Sequence, residues 1–311
     1  NYDFENENYF DELWVGEGVT SYYDDLALVR SGLTSKNEYL SALSRQISSV
    51  EATPGRNVQS LALSSHDAWI KYYRPDENSR NTSISYYTKG SLAAFLLDLE
   101  IRRSTNDEKS LDDVMQQLWA DHSGEVGYTN EDVMRIASEI GGFDAKPWFQ
   151  SVIYGTDALD YSQALNWIGM QFAHEANPPA TTEASWLGMS SNVEDGKLIV
   201  QSVTEGGPAF AAGINVDDEL IALNGYRLGS SLSDRVKQLA KDDKVELLTA
   251  RRGKLESIEV KLAPPPQSSY RIVPLKEPTD QQQASLRKWL HQKEKTKTEK
   301  EDKEVAAKKS E

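Results

Sequence analysis

With 311 residues, 38% of them hydrophobic, the chain is too long for one ordinary core and too short for three full-sized domains, so two folded units plus a tail are expected. Its net charge of −15 is uneven, with nine Lys or Arg against six Asp or Glu in 281–311 and 25 against 43 before them, and so acidic a body argues against nucleic acid as a partner. The absence of cysteine excludes disulfides, thiolate catalysis and cysteine-ligated zinc, and no apolar stretch approaches the roughly 20 residues of a membrane span.

The first ten residues are acidic and aromatic with no starting methionine, as expected of a chain that begins inside a larger protein. Apolar residues at helical spacing then predict buried helices over Glu12 to Leu26 and Ser85 to Arg103. Further helices are predicted over Lys36 to Ser49, Leu111 to Asp121 and Asn130 to Ile140, with Ser35 and Thr129 as caps and Gly141 and Gly142 as a stop. Asn177, Pro178 and Pro179 break the periodicity, which gives a mostly helical unit over 1–176 and a linker over 177–184. Short β-rich runs follow at Lys197 to Val203, Glu219 to Leu223, Lys244 to Ala250 and Ser257 to Leu262, separated by glycine and acidic turns. They define a second unit over 185–265, closed by three prolines. The extension 266–311 reads as partly helical or disordered, because almost nothing after Leu290 is apolar.

The sharpest chemical signal is Leu13-Trp14-Val15-Gly16-Glu17-Gly18-Val19, a carboxylate between two glycines inside an apolar helix. Two readings stand side by side. A buried ionised Glu needs a cation or strong donors, and small neighbours let another backbone or a metal-bearing helix come close; alternatively, Glu17 is a capping or salt-bridged residue of an ordinary helix. Ser21, Asp24 and Asp25 follow within two turns and could orient a metal-bound histidine, or be solvated. The four histidines, His66, His122, His174 and His291, are isolated, and no two have the spacing of paired metal ligands. Asp67, Trp69, Arg74 and Asn81 form a polar and aromatic stretch that either lines a substrate cleft or builds a structural loop.

Several segments in order resemble the glycyl aminopeptidase family of gluzincin zinc metallopeptidases with an appended PDZ domain: the Glu17 helix, Asp67-Ala68-Trp69, Tyr73-Arg74-Pro75-Asp76-Glu77-Asn78 and Ser85-Tyr86-Tyr87-Thr88-Lys89-Gly90. The resemblance implies a thermolysin-like C-terminal peptidase subdomain, zinc as cofactor, and removal of N-terminal Gly or Ala from peptide substrates. In these enzymes an HExxH helix gives two histidine ligands and the general base, and a Glu on a later helix gives the third ligand. Glu17 takes that later role. No HExxH occurs in the chain, so the resemblance implies a C-terminal portion that by itself binds no zinc and is inactive. Tyr87 in Tyr-Thr-Lys-Gly matches the tyrosine that stabilises the oxyanion in related aminopeptidases, with Tyr86 in reserve. Read without the family, both tyrosines are aromatics packing a helix entry.

In the second unit, Gly206-Gly207-Pro208-Ala209-Phe210-Ala211-Ala212-Gly213 and Asp217-Asp218-Glu219-Leu220-Ile221-Ala222-Leu223-Asn224-Gly225 resemble a PDZ domain, expected as a β-sandwich with flanking helices. Asn224-Gly225 gives the tight turn and Gly213 ends a short helix. Such domains take a peptide as an added strand and hold its C-terminal carboxylate on a Gly-rich loop, here Trp186-Leu187-Gly188-Met189, which departs from Gly-Leu-Gly-Phe. The other use of the unit is to pack against the peptidase domain. The rival for the whole chain is a non-catalytic peptide-binding scaffold. The compartment, bacterial cytoplasm or periplasm, stays open.

Overall fold

The computed structural model describes residues 3–176, 185–229, 232–240, 242–267 and 269–292. The first unit begins with a π-helical turn, Trp14–Val19, running into α1 (Thr20–Arg30). Helix α2 (Lys36–Glu51) starts at the predicted cap, where the Ser35 hydroxyl accepts from the Glu38 N–H and the Glu38 carboxylate accepts from the Ser35 N–H. A short 3-10 turn (Pro54–Asn57), α3 (Leu61–His66), a second π-helical turn (Ala68–Tyr72) and α4 (Ser79–Thr82) lead to α5 (Thr88–Ser104), most of which is buried. Around α5 lie α6 (Leu111–His122), α7 (Asn130–Gly141), α8 (Lys146–Val152) and α9 (Ser162–Trp167). Thr129 caps α7 with Asp132, and Gly142 stops it with φ of 68°, where a side chain would be strained.

The chain then forms β1 (Met170–Phe172) and α10 (Ala173–Ala176) and enters the second unit. There β2 (Met189–Glu194), β3 (Lys197–Val203), α11 (Pro208–Ala211), β4 (Glu219–Leu223), β5 (Tyr226–Arg227), α12 (Ser233–Val236), β6 (Lys244–Arg251) and β7 (Lys254–Lys261) follow. Hydrogen bonding joins its strands into one antiparallel sheet in the order β2-β3-β4-β6-β7, with β5 on β4. That corrects the expected two-sheet sandwich; irregularities at Ser190/Ser191 and Leu220/Ala222 shift the register along the sheet. Asn224 and Gly225 form the β4–β5 turn with φ of 49° and 76°, positive at both central positions as the tightest hairpins require.

After the second unit the chain returns to the first. Strand β8 (Ile272–Pro274) pairs antiparallel with β1, Phe172 opposite Ile272, and α13 (Asp280–Trp289) follows. The N–H groups of Tyr270 and Ile272 donate to the Ser48 and Ser44 hydroxyls of α2 at 3.0 Å each. Trp289 is fully buried in the first core, its indole N–H donating to the Tyr22 hydroxyl at 2.8 Å. The described part of the extension 266–311 therefore belongs to the helical unit, and the second unit is an insertion between β1 and β8. The linker 177–184 and the tail beyond 292 lie outside the described residues.

Candidate peptidase site and peptide-capture loop

The predicted helix around Glu17 is a π-helix. Its wide turn is a feature that recurs at functional sites. Gly18 explains its position: a Cβ there would lie 2.7 Å from Gly90 Cα and 2.8 Å from the Tyr86 carbonyl, so only glycine lets this turn rest on the start of α5. Gly16 faces outward, its nearest neighbour being the Tyr128 hydroxyl at 3.9 Å from a built Cβ. Glu17 is half-buried, and its carboxylate interacts with the Tyr87 hydroxyl. A hydroxyl donor thus faces it, one of the two kinds of partner expected for a buried carboxylate here, so burial alone does not demand a cation.

Tyr86 is buried and Tyr87 half-buried at the entry to α5, their rings 4.8 Å apart. The Tyr86 hydroxyl donates to the Tyr73 hydroxyl at 3.2 Å. Burial raises both phenols well above their ordinary range, reinforced in each case by hydrogen bonding to Tyr73 and, for Tyr87, by the negative charge of Glu17. Both remain protonated hydrogen-bond donors at neutral pH. The second π-helical turn adds an aromatic wall: Tyr72 packs against Tyr86 and Tyr87 with centroids at 5.0 and 5.8 Å, and Trp69 against Tyr73 at 5.9 Å. Trp69, Ile70 and Tyr73 are each more than half exposed. Tyr72 and Tyr73 were not among the site residues expected from sequence, although Trp69, Tyr72 and Tyr73 at i, i+3 and i+4 share a helical face.

The remaining candidates divide. Asp67 stands at the N-cap position of this turn, its carboxylate pairing with Lys71 at 2.8 Å and making no capping bond, while Arg74 is exposed beyond its end. Asn81 leaves the group. It is buried, donates to the Val203 carbonyl at 2.8 Å and accepts from the Glu205 N–H at 3.0 Å, so its amide holds the inserted unit and does not line the cleft. Ser21 donates to the Glu17 backbone carbonyl, Asp25 accepts from Gln46, and Asp24 is exposed.

The histidines are dispersed. His66 pairs with Asp11 and stacks on Tyr9, His122 bonds to the Gly127 carbonyl, His174 stacks on Phe172, and His291 follows α13. Among the described residues no group of three or more His, Asp or Glu side chains is placed to hold a metal ion. A catalytic zinc takes three protein ligands, so Glu17 could be one of them but the donor set of this chain does not by itself fit the site.

In the inserted unit, Leu187 is buried in the second core with Met189 packed against it. Gly188 has φ of 75°, and a Cβ on it would lie 3.0 Å from Gly207 Cα. The Leu187 and Gly188 carbonyls accept from the N–H groups of Ala209 and Thr204 at 2.8 and 2.7 Å. Strand β2, which follows, lies at the edge of the sheet, where a peptide strand can add.

Comparison with known proteins agrees with this division. Residues 1–93 match the M61 glycyl aminopeptidase family and residues 185–262 match the PDZ domain. No curated protein matches the chain. A solved aminopeptidase N family protein from Idiomarina loihiensis is 28% identical over 93% of this chain and 50% of its own, with a TM-score of 0.79. The chain thus spans about half the length of that structure. A serine endoprotease from Yersinia pestis, 22% identical over 26% of this chain and 29% of its own, superposes with a TM-score of only 0.24, too low to carry an argument. No helix among the described residues is long and apolar enough to cross a membrane. Residues 1–93 are thus similar to the M61 glycyl aminopeptidase family and residues 185–262 to the PDZ domain, within a fold that resembles an aminopeptidase N family protein over nearly all of the chain.

Proposed function

We propose that this chain is the C-terminal portion of a zinc-dependent aminopeptidase that releases small N-terminal residues, Gly or Ala, from peptides, built on a thermolysin-like catalytic domain. The observation that carries this reading is the Tyr87 hydroxyl held against the Glu17 carboxylate where the π-helical turn meets α5. When bound, zinc would polarise the scissile carbonyl and activate water. Glu17 would offer it one carboxylate, the other ligands and the general base coming from outside this chain. Tyr87 supplies the chain's own chemistry. A phenol kept protonated by burial can donate to the oxygen that gains negative charge as the carbonyl is attacked, and a positioned donor of that kind contributes most in a site that excludes water. The PDZ domain would bind the C-terminus of a peptide through Leu187, Gly188 and Met189. Alone, the chain is expected to bind no zinc and to be inactive.

In the full-length protein, Tyr87→Phe should lower kcat on an alanyl or glycyl anilide about a hundredfold, about 3 kcal/mol of transition-state stabilisation, with zinc content unchanged. An unaltered kcat removes Tyr87 from the reaction. Glu17→Gln should strip the metal, and full occupancy on elemental analysis would reject the ligand assignment. A wild-type protein that binds C-terminal peptides yet hydrolyses no anilide would favour the non-catalytic scaffold.

A further inference from the structure

Asn81 is the one predicted site residue that the structure removes from the cleft, and its new partners are specific. Its Nδ2 donates to the carbonyl of Val203, the last residue of β3, and its Oδ1 accepts from the N–H of Glu205, so the side-chain amide pairs with the PDZ backbone as a neighbouring strand would. The same Nδ2 donates to Asn78 Oδ1 at 2.9 Å. Both donor hydrogens are used, and the side chain is buried.

The segment it grips is the floor of the peptide-capture loop. Thr204 donates to the Gly188 carbonyl, and glycines 188 and 207 meet backbone to backbone, a Cβ on Gly207 lying 3.2 Å from Gly188 Cα and 3.0 Å from the Thr204 carbonyl. The Trp186 ring packs against both glycines as well, so a shift of 187–189 would move 203–207 with it. On the other side, Asn81 is anchored through Asn78, whose N–H donates to Asp76 Oδ1, in the run that begins at Tyr73. Tyr73 accepts from the Tyr86 hydroxyl beside Tyr87 and Glu17.

We propose that Asn81 is a positioning residue that couples peptide occupancy of the PDZ loop to the Glu17–Tyr87 site, so that a bound peptide carboxylate changes how that site binds substrate. This rests on the functional reading above. Coupled sites of this kind change each other's affinity by about fivefold or more, reciprocally.

The test uses the full-length protein and a decapeptide ending in Phe-Val with a free carboxylate, its N-terminus blocked by fluorescein so that it is not a substrate, with the C-terminal amide as control. Polarisation reads peptide binding, anilide hydrolysis reads KM and kcat, and hydrogen exchange reads residues 73–81 and 203–207. The free-acid peptide should shift KM about fivefold and alter exchange in both segments, while the amide does neither. In Asn81→Ala, and in Asn81→Asp should the alanine variant fold poorly, the peptide should still bind while its effect on KM and on exchange in 73–81 disappears. A KM shift of equal size in both variants and wild type overturns the proposal, as does bound peptide with no change in KM or exchange in wild type. Failure of the peptide to bind overturns both the coupling and the peptide-capture reading. Absence of hydrolysis overturns the peptidase reading, and the exchange data then decide the coupling by themselves.

Discussion

A methyl group added at position 18 has nowhere to go, because the atoms 2.7 and 2.8 Å away belong to the Gly90 and Tyr86 backbones. Gly18→Ala should therefore cost about 1–3 kcal/mol in denaturant unfolding, the usual penalty for overpacking, and should displace Glu17 from Tyr87. Gly16→Ala has room and replaces a poor helix former, so it should be neutral or stabilising by up to about 1 kcal/mol. Lys89 shows how one short motif sends two side chains apart: Tyr87 faces Glu17, whereas Lys89 is buried towards Arg56 and Glu51, its Nζ without a hydrogen-bond partner among the described residues. Burial, and then the Arg56 charge, push its pKa from 10.5 down to about 8. The unfolded chain then binds more protons than the folded one between those values, so the Lys89 contribution to stability rises from pH 8 to 10.5. Its charge opposes folding most fully below pH 8. Lys89→Met should accordingly stabilise the protein at pH 7, by up to about 3 kcal/mol, and flatten the alkaline limb of stability against pH. A variant less stable at pH 7 would show that the ammonium has a favourable partner.

At the scale of elements, capped amphipathic helices matched expectation closely: α2 and α7 begin at Ser35 and Thr129, and β3 and β4 have the predicted limits. These are set by neighbouring residues. The π-helical turns were not legible, since a widened turn differs from an α-helix only by which carbonyl each N–H finds, and close approach to α5 decides that here. Helix α13 was underestimated for a similar reason. Apart from Ala284 its apolar residues are Leu286, Trp289 and, just past its end, Leu290, and these three fill the core beside Tyr39 and Phe95, with the Tyr39 and Phe95 rings 5.5 and 5.6 Å from Trp289. Trp289→Ala should cost about 3–5 kcal/mol, read as a lower midpoint of unfolding of the helical unit. A loss below about 1 kcal/mol would mean that α13 is peripheral.

Seen whole, the molecule closes its first unit with residues from both sides of the PDZ insertion. Because Phe172 and Ile272 are partners in one ladder, replacing 177–268 with a short Gly-Ser linker should leave the helical unit folded, whereas truncation after 268 should unfold it. Near-ultraviolet circular dichroism and urea unfolding read both, and equal stability of the two would contradict the closure. The inserted unit has its own core and its ends meet at the Trp186–Ala263 bridge, as a domain capable of folding separately requires.

The amino-acid sequence by itself determined the helix and strand periods, the caps, the Asn224-Gly225 turn and the order of the units, because each depends on side chains a few residues apart, whereas Glu17 and Tyr87 became candidates through the family resemblance of their motifs. Tertiary structure decided the rest. It made the Glu17 turn a π-helix against Gly90, gathered Tyr72 and Tyr73 onto Tyr86 and Tyr87, turned Asn81 to the PDZ backbone and brought Trp289 beside Tyr22. Those contacts join residues from about a dozen to more than two hundred positions apart, and only the packing of the whole core selects which of the many such pairs are made.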